Sequence, residues 1–426
     1  MIDRLVPPPI KDAVDYTLNL KRYDNYALDN GIPVYAINAG AQEVLQIEFV
    51  FYAGNSFEQK RAVAGATNYL LKNGTTTRTA FQLNEDFDYY GAYVNRACYS
   101  ETATVSLHTL SKHLSKLLPV LQDMFTDANF PQEELDTFKQ NSIQRLKVNL
   151  QKCEFVAGRL IDSYLYGKDH PYGKYTEIED LEKLEVADLK KFYADHYLNG
   201  ECAIFVAGLI PADLQQMLNA HFGKLGLKKP TYVSKEIKTS PAAEKKYRII
   251  NDEKAVQGAI RLISPFPNRH HPDFKKTMVL NNVFGGFFGS RLMSNIREEK
   301  GYTYGIYSYF QNHIQQSGWL VSTEAGKDVC EATIEEIYKE MKELREEKID
   351  AEELLLVRNY MIGGILGDLD GPFQIMAKWK NIILNNLDEQ YFYDSIMAIK
   401  TVSADELQEL AIKYLQPEKF YELVVY

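Results

Sequence analysis

Arg297 and Tyr304 are the residues of this sequence whose types and spacing could support chemistry. They stand on either side of Gly301 in the segment IREEKGYTYG. Gly301 occupies the place where a helix favours a left-handed residue, so a helix carrying Arg297 should end there and a tyrosine-rich strand should follow. Both side chains can then face one spot, although the pattern alone indicates only a helix, a turn and a strand with ordinary surface residues.

The residues before this helix form a glycine cluster. Its members are Gly285, Gly286 and Gly289. The next residue, Ser290, is predicted to cap the helix, and glycines in this position allow close approach to backbone or ligand. In the following strand, Tyr302 and Tyr304 are predicted to share one side, and Tyr307 and Tyr309 to pack against helices.

Composition sets the broad class of the protein. At 426 residues the chain is expected to form two or more domains, and 45% hydrophobic with 25% charged residues is typical of a soluble globular protein. The net charge of −10 argues against binding to nucleic acid or an anionic membrane surface. The longest apolar run, Cys202 to Ile210, is too short to span a bilayer.

The start of the chain and its cysteines indicate the compartment. The opening MIDRLVPPPI lacks the apolar core of a secretory signal, so a cytoplasmic location is expected, with a trimmed leader left open. The four cysteines have no CxxC spacing and are expected to be reduced thiols.

The two halves of the sequence repeat one pattern. FPQEELDTF at residues 130–138 resembles IDAEELLLV at 349–357, and VADLKKFYADHYL at 186–198 resembles SADELQELAIKYL at 403–415. Each half ends in an apolar strand. We therefore predict an α+β fold of two homologous domains of similar size, each a mainly antiparallel sheet with helices packed on one face. The predicted bounds are 1–228 for the first domain, 229–246 for a polar, lysine-rich linker and 247–426 for the second domain.

A resemblance to a known family changes the interpretation of the Arg297 segment. A small residue followed by Ser-Arg-Leu, and then Ile-Arg-Glu-Glu-Lys-Gly-x-x-Tyr, resembles the C-terminal signature of the pitrilysin/insulinase metallopeptidases, which include mitochondrial processing peptidase. In that family the Arg and the Tyr hold the peptide near a zinc ion. The resemblance assigns these roles to Arg297 and Tyr304.

Further motifs in the first half extend the resemblance. They are Gly54–Glu58, Asn73–Thr75, Tyr90–Asn95 and His170–Gly173, which are similar to Gly-Ser-x-x-Glu, the end of Phe-Lys-Gly-Thr, Gly-Gly-x-x-Asn-Ala and His-Pro-x-Gly. The resemblance also implies a substrate-pairing edge strand that binds a peptide through main-chain hydrogen bonds. Its residues here are Tyr93, Val94, Asn95 and Arg96.

The zinc site of active family members has no counterpart in this sequence. Those members hold zinc through His-x-x-Glu-His on the first long helix and a Glu from a later helix, and the motif's own Glu serves as base. Residues 61–73 contain neither histidine nor glutamate, and the first histidine of the chain is His108. The region of the third ligand, residues 141–147, offers Gln144 and Arg145 but no carboxylate. We therefore expect no metal or cofactor in this chain and zinc in a partner subunit.

Other histidine clusters are weak candidates for a metal site. His270 and His271 are adjacent and are interpreted as polar loop residues, and His108 and His113 are interpreted in the same way. Phosphate-loop, Gly-x-Gly-x-x-Gly and Gly-x-Ser-x-Gly motifs are absent from the sequence.

Three functional hypotheses remain. The leading one is a zinc-less subunit that pairs with a homologous HxxEH-bearing subunit, as a heterodimer or larger assembly, and supplies Arg297 and Tyr304 for hydrolysis of a peptide substrate. A homodimer stays open, and no nucleic acid or membrane is expected as a partner. The second hypothesis is a non-catalytic structural or peptide-binding protein of the same fold, and the third is a self-sufficient homodimeric zinc protease.

Overall fold

The computed structural model describes residues 11–232 and 237–426. In the first half, the helices and strands are β1 (Asp24–Ala27), β2 (Pro33–Asn38), β3 (Val44–Phe51), α1 (Val63–Leu70), α2 (Ala80–Tyr89), β4 (Tyr93–Cys98), β5 (Ala103–Leu110), α3 (Leu114–Thr126), α4 (Gln132–Asn149), α5 (Cys153–Tyr166), α6 (Ile178–Glu182), α7 (Val186–Tyr193), β6 (Cys202–Gly208) and α8 (Leu214–Phe222). In the second half they are β7 (Lys246–Ile249), β8 (Gln257–Phe266), α9 (Phe274–Asn281), β9 (Thr303–Asn312), β10 (Ser317–Gly326), α10 (Cys330–Glu346), α11 (Ala351–Asp368), α12 (Pro372–Leu384), α13 (Glu389–Thr401), α14 (Ala404–Tyr414) and β11 (Tyr421–Val425).

Each half builds one sheet, and the two sheets share a topology. The first has the order β1-β2-β6-β3-β5-β4 and the second β7-β11-β8-β10-β9. Without β1, the two orders correspond strand for strand. Most neighbours are antiparallel, and the exceptions, β2 beside β6 and β7 beside β11, are equivalent pairs. The prediction of two homologous α+β domains with mainly antiparallel sheets is confirmed.

Local sequence signals begin several of these elements. Thr79 with Gln82 and Ser403 with Glu406 form reciprocal capping boxes at the starts of α2 and α14. The turn between β1 and β2 contains Gly31 at a φ of +85°, in the left-handed region that glycine adopts at little cost. These elements were therefore predictable from the residues at their ends.

The two halves exchange one helix each. Apolar residues of α5, such as Ile161 and Leu165, belong to the same core as Ile263 on β8 and Leu423 on β11. In return, α12 packs on the first sheet, and its Trp379 donates a hydrogen bond to the carbonyl of Lys21 at 2.8 Å. Helices of the same half cover one face of each sheet, as predicted. The opposite face receives a helix from the other half.

The tips of two equivalent hairpins meet between the halves. The Oγ of Ser100, after β4, lies 3.3 Å from the Nδ1 of His313, after β9. Nearby, Gln311 donates to the carboxylate of Asp162 on α5 at 2.9 Å. Burial raises the pKa of Asp162 to about 6, against the opposing effect of the Gln311 hydrogen bond. The junction therefore contains a largely buried carboxyl group that forms no ion pair within the described residues.

The predicted linker runs beside α5 where the structure describes it. The amides of Ser240 and Ala242 donate to the carbonyls of Tyr166 and Tyr164, both at 2.9 Å. Residues 233–236 of the predicted linker lie outside the described ranges, as do the first ten residues on which the cytoplasmic expectation rests. The domain bounds therefore stay a prediction. Across the described ranges, none of the helices combines the length and apolar character needed to cross a membrane.

Candidate functional site

The structure brings Arg297 and Tyr304 together. Arg297 belongs to a π-helical segment, Met293–Glu299, and Gly301 follows with a φ of +67°, as predicted. Tyr304 stands at the start of β9 and is 93% exposed. The guanidinium carbon of Arg297 lies 5.6 Å from the centre of the Tyr304 ring. Both side chains therefore face one spot at the surface.

Phe288 is a member of this site that sequence reasoning missed. Its ring lies 4.4 Å from the Arg297 guanidinium carbon, although the phenylalanine itself is 57% exposed. The Arg297 guanidinium thus lies near two exposed aromatic rings, and the face of an aromatic ring attracts a cation. Among the described residues its carboxylate neighbour is Glu298 at 4.0 Å, so the guanidinium has no tight ion pair. The available signal was a phenylalanine placed inside the glycine cluster.

The glycine cluster brings the backbone of the site against β9. A Cβ on Gly285 would lie 2.7 Å from the Cβ of Ser308 and 2.8 Å from Leu292. The predicted close approach is therefore to the protein's own strand. The prediction that Ser290 caps the helix is wrong, because its Oγ is buried without a hydrogen-bond partner in the described residues. Its carbonyl nevertheless accepts from the amide of Ser294, so helix formation begins where it was predicted.

Two polar anchors hold the π-helical segment and the residues before it. Arg291 donates two hydrogen bonds of 2.8 Å to the carboxylate of Glu353 on α11. Asn295 donates to Glu336 at 2.9 Å and to Glu340 at 2.7 Å on α10. Paired hydrogen bonds between a guanidinium and a carboxylate fix orientation as well as distance. The backbone under Arg297 is therefore held on both sides.

The tyrosines of the strand differ from their predicted environments. Tyr302 precedes β9 and packs partly buried against the core, so it does not share the exposure of Tyr304. Tyr307 and Tyr309 were predicted to pack under helices, but they are 51% and 44% exposed. The prediction was wrong because α5 covers β8 and β11 and leaves the outer strand β9 free. β9 is thus an edge strand with an open tyrosine face.

The predicted substrate-pairing residues lie on the edge strand of the other sheet. β4 pairs with β5 on one side, for example Asn95 with Ser106, and ends the sheet on the other. Tyr93 is 64% exposed and Asn95 is also exposed, whereas Val94 is buried. The free edge can accept an extended peptide through main-chain hydrogen bonds. Whether a substrate binds there stays a prediction.

Arg96, the last of these four residues, turns inward and ties three elements together. Its guanidinium donates to the carbonyl of Tyr69 in the last turn of α1 and lies 3.4 Å from the Oδ1 of Asn73. Asn73 in turn donates to Glu134 on α4 at 2.7 Å, and the rings of Tyr69 and Phe138 are 5.2 Å apart. The last carbonyls of a helix favour a cation. We call this arrangement of β4, α1 and α4 the N-half corner.

The N-half corner does not fit a zinc ion. It borders a cleft of about 430 Å³ whose walls include Asn141, Gln144 and Arg145 of α4. Zinc in proteins is held by histidine, cysteine or carboxylate ligands. Here Glu134 is engaged by Asn73, and the nearby guanidinium of Arg96 would repel a cation. Within residues 11–232 and 237–426, three or more side chains of the metal-binding types do not come together anywhere.

Two of the motifs from the sequence meet at the start of α1. Glu58 accepts a hydrogen bond from the amide of Ala64 at 3.1 Å and pairs with Lys174, which follows the His170–Gly173 motif, also at 3.1 Å. Burial raises the pKa of Glu58, although Lys174 opposes the change. These motif residues therefore position the start of α1, the helix that the resemblance identified as the place of the zinc motif.

The adjacent histidines are polar loop residues, as predicted. His270 bonds through Nε2 to the carbonyl of Asn385 at 2.8 Å, and the Nδ1 of His271 accepts from the amide of Asp273 at 3.1 Å. Each imidazole ring therefore stabilises the loop conformation.

The described contacts do not connect the Arg297–Tyr304 pair with the β4 edge of the same chain, since Tyr304 lies at the end of β9 remote from the hairpin junction.

Comparison with known families gives a consistent result for both halves. Residues 34–170 match the model described as insulinase (peptidase family M16), and residues 183–361 match the model described as the peptidase M16 inactive domain. Together these ranges include most of the chain.

Individual relatives agree with this assignment. The chain is 24% identical over 366 residues to the uncharacterized zinc protease YmxG of Bacillus subtilis, covering 83% of this chain and 86% of the relative. It is 24% identical over 348 residues to an uncharacterized zinc protease of Rickettsia felis, covering 80% and 82%. A crystal structure of a peptidase M16 inactive domain from Pseudomonas fluorescens superposes with a TM-score of 0.85 at 21% identity, covering 95% of this chain and 98% of that one. A protease from Helicobacter pylori gives a TM-score of 0.85 at 16% identity, with coverage of 96% and 100%. At these identities the structural likeness establishes the fold.

Proposed function

This chain belongs to the insulinase family, peptidase family M16, and from that premise we propose that it is a zinc-less subunit of a peptidase. It pairs with a homologous subunit that carries the HxxEH motif and supplies Arg297 and Tyr304 to that partner's active site. The observation that carries the proposal is the half-buried Arg297, which has no tight ion pair, beside the exposed Tyr304. Because the N-half corner does not fit zinc, the hydrolytic metal belongs to the partner.

Retention of the pair favours a catalytic role over a purely structural one. An arginine without a tight ion pair and a tyrosine that is 93% exposed contribute little to the folded state. Their neighbours nevertheless hold them in place through the anchors at Arg291 and Asn295. A rigid support under exposed polar groups is the arrangement that binding and catalysis require.

The chemistry follows from the two side chains. Arg297 donates paired hydrogen bonds to a carbonyl of the bound peptide and so fixes its position. The Tyr304 hydroxyl donates to the oxygen that becomes negative as the peptide carbonyl is attacked. Tyr304 stands far along β9 from the junction with the first half, which supports its action on a partner subunit. The β4 edge offers main-chain hydrogen bonds to the same extended substrate.

Co-expression with an HxxEH-bearing M16 homologue from the same genome tests the proposal. We expect the two chains to co-purify, the zinc to follow the partner, and the pair to cleave peptides that neither chain cleaves alone. Arg297→Ala should lower kcat/KM by roughly 10²–10³-fold while the pair still assembles. Arg22→Ala, which removes another surface arginine, should leave kcat/KM unchanged.

Two outcomes would contradict the proposal. Stoichiometric zinc in this chain by itself, with hydrolysis that a chelator abolishes, would favour the self-sufficient protease. An assembled and active pair that does not respond to Arg297→Ala would favour the non-catalytic structural or peptide-binding protein.

A further inference from the structure

A second cleft lies in the C-terminal half, between α9, α11, α12 and α13. Its volume is about 600 Å³, within the range of small-molecule sites. By topology, α9 and α11 correspond to α1 and α4, so this cleft occupies the place of the N-half corner in the second domain. We call it the C-half cleft. It lies apart from Arg297 and Tyr304, neither of which lines it.

The inner wall of the C-half cleft is apolar. The side chains that form this wall are Phe274, Met278, Met361, Ile365, Ile382 and Phe392. The cleft beside the N-half corner is lined instead mostly by polar and charged side chains, including Glu134 and Arg145, with two aromatic rings. An apolar wall favours a ligand with a hydrocarbon or aromatic body.

Three cations line the same cleft, and one of them is unpaired. Lys275 pairs with Asp394 and Lys378 pairs with Asp368, at 2.8 and 2.7 Å. Arg269 forms no ion pair within the described part of the chain, and its Nε is buried there without a hydrogen-bond partner. Its guanidinium carbon lies 5.8 Å from the centre of the Phe274 ring. The Arg269 side chain is half-buried, and its guanidinium is therefore a cation that an anion in the cleft can pair with.

We propose that the C-half cleft binds a small monocarboxylate with an apolar chain or ring. The carboxylate pairs with Arg269, and the apolar body packs against the inner wall. Charge complementarity selects an anion, because the acidic side chains at the cleft are already neutralised by lysines. The volume restricts the ligand to a single small molecule. This inference does not depend on the peptidase role proposed above.

Gly364 gives the cleft part of its width. It lines the cleft from α11, and a Cβ at this position would meet no atom within 4 Å. A glycine inside a helix is unfavourable relative to alanine, so an open space beside it is notable. Gly363, the preceding residue, also has open space at its Cβ position but does not line the cleft. The two glycines therefore form a matched pair for an experiment.

Titration calorimetry of the purified chain with decanoate tests the inference. We expect saturable one-to-one binding of decanoate and at least tenfold weaker binding of decan-1-ol, which has the same chain without the charge. Arg269→Met should weaken decanoate binding at least tenfold and abolish the preference over the alcohol, since a charge-assisted pair is lost. Arg22→Met, at the exposed surface, should leave binding unchanged.

Filling the cleft provides a second, independent variant. Gly364→Leu should abolish binding by occupying the cleft, whereas Gly363→Leu should bind decanoate as the unmodified chain does. Both variants place leucine in the same helix, so a general effect on folding would appear in both, and circular dichroism monitors it. Absence of saturable decanoate binding, equal binding of decanoate and decan-1-ol, or equal effects of the two leucine variants would each overturn the inference.

Discussion

The N-half corner and the Arg297–Tyr304 site occupy two domains of one topology but use polar side chains in opposite ways. At the corner, Arg96, Asn73 and Glu134 bond to one another and to the end of α1. At the other site, Arg297 and Tyr304 point outward, and the polar bonds lie beneath them. The polar groups of the N-half corner therefore bond to one another within the first domain. Those of the Arg297–Tyr304 site in the second domain remain available to a ligand.

This contrast separates stability from function. Substitutions at the corner should change the free energy of unfolding, and substitutions at Arg297 or Tyr304 should change turnover of the assembled pair. The junction around Asp162 lies in neither of these regions and connects the two domains.

The largest expected effect is on turnover. Tyr304→Phe removes one hydroxyl from a side chain that is 93% exposed, so the unfolding midpoint should not move. In the pair with a zinc-bearing partner, kcat/KM should fall by roughly 10²–10³-fold, about 2.7–4 kcal/mol, because the developing oxyanion loses a donor. Tyr307→Phe, on the same strand and 51% exposed, is the matched control and should leave kcat/KM unchanged. Equal effects of the two variants would show that the strand, and not this hydroxyl, matters.

The next effect concerns the junction and depends on pH. Burial raises the pKa of Asp162 to about 6. A carboxyl whose pKa is higher in the folded than in the unfolded state, where it is about 3.9, stabilises the fold at low pH, and this contribution is lost as the pH rises through 6. Asp162→Asn should therefore match the unmodified chain near pH 4 and exceed it by up to about 3 kcal/mol at pH 7. Urea unfolding at several pH values measures the difference, and a constant difference across this range would refute the assignment.

The third effect should fall on the N-half corner. Arg96→Ala removes the cation at the end of α1 and the bond to Asn73, so the free energy of unfolding should drop by about 2 kcal/mol. Arg145→Ala, at an exposed position of α4 beside the same cleft, should change it by less than about 0.5 kcal/mol. Chemical denaturation of both variants measures the two changes in the free energy of unfolding. Equal losses would mean that the corner is not tied by Arg96.

The smallest effect should come from the anchor beneath Arg297. Arg291 and Glu353 are 19% and 24% exposed and share two hydrogen bonds. A double-mutant cycle with Arg291→Met and Glu353→Gln should give a coupling free energy of about 1 kcal/mol. A coupling near zero would show that the paired bonds do not hold α11 to this segment.

Much of the fold could be predicted because its signals are local. Gly301 ends a helix, and Gly31 lies in a turn between strands, since each residue suits a backbone conformation that its neighbours avoid. Internal repetition indicated two domains, and equivalent strand orders confirm it. The capping prediction for Ser290 was wrong because a local preference for capping does not reveal that its side chain would be buried.

The helix exchange and the contacts of Arg96 and Phe288 could not be predicted in this way. The apolar positions of α5 show that one face of this helix is buried, but not that it packs against β8 and β11 of the other domain. Arg96 follows exposed Asn95 on β4, and alternation places it on the opposite face. That this face meets the end of α1 depends on residues distant in sequence.

The sequence by itself determined which chemistry is available. Residues 61–73 contain no histidine or glutamate, and Arg297 and Tyr304 remain around their glycine. Only the tertiary structure decided which of the polar groups are free, because hydrogen bonding and burial depend on partners brought together by folding. It directed Arg96 inward to α1, left Tyr304 in solvent, and placed Arg269 at the C-half cleft without an ion pair among the described residues.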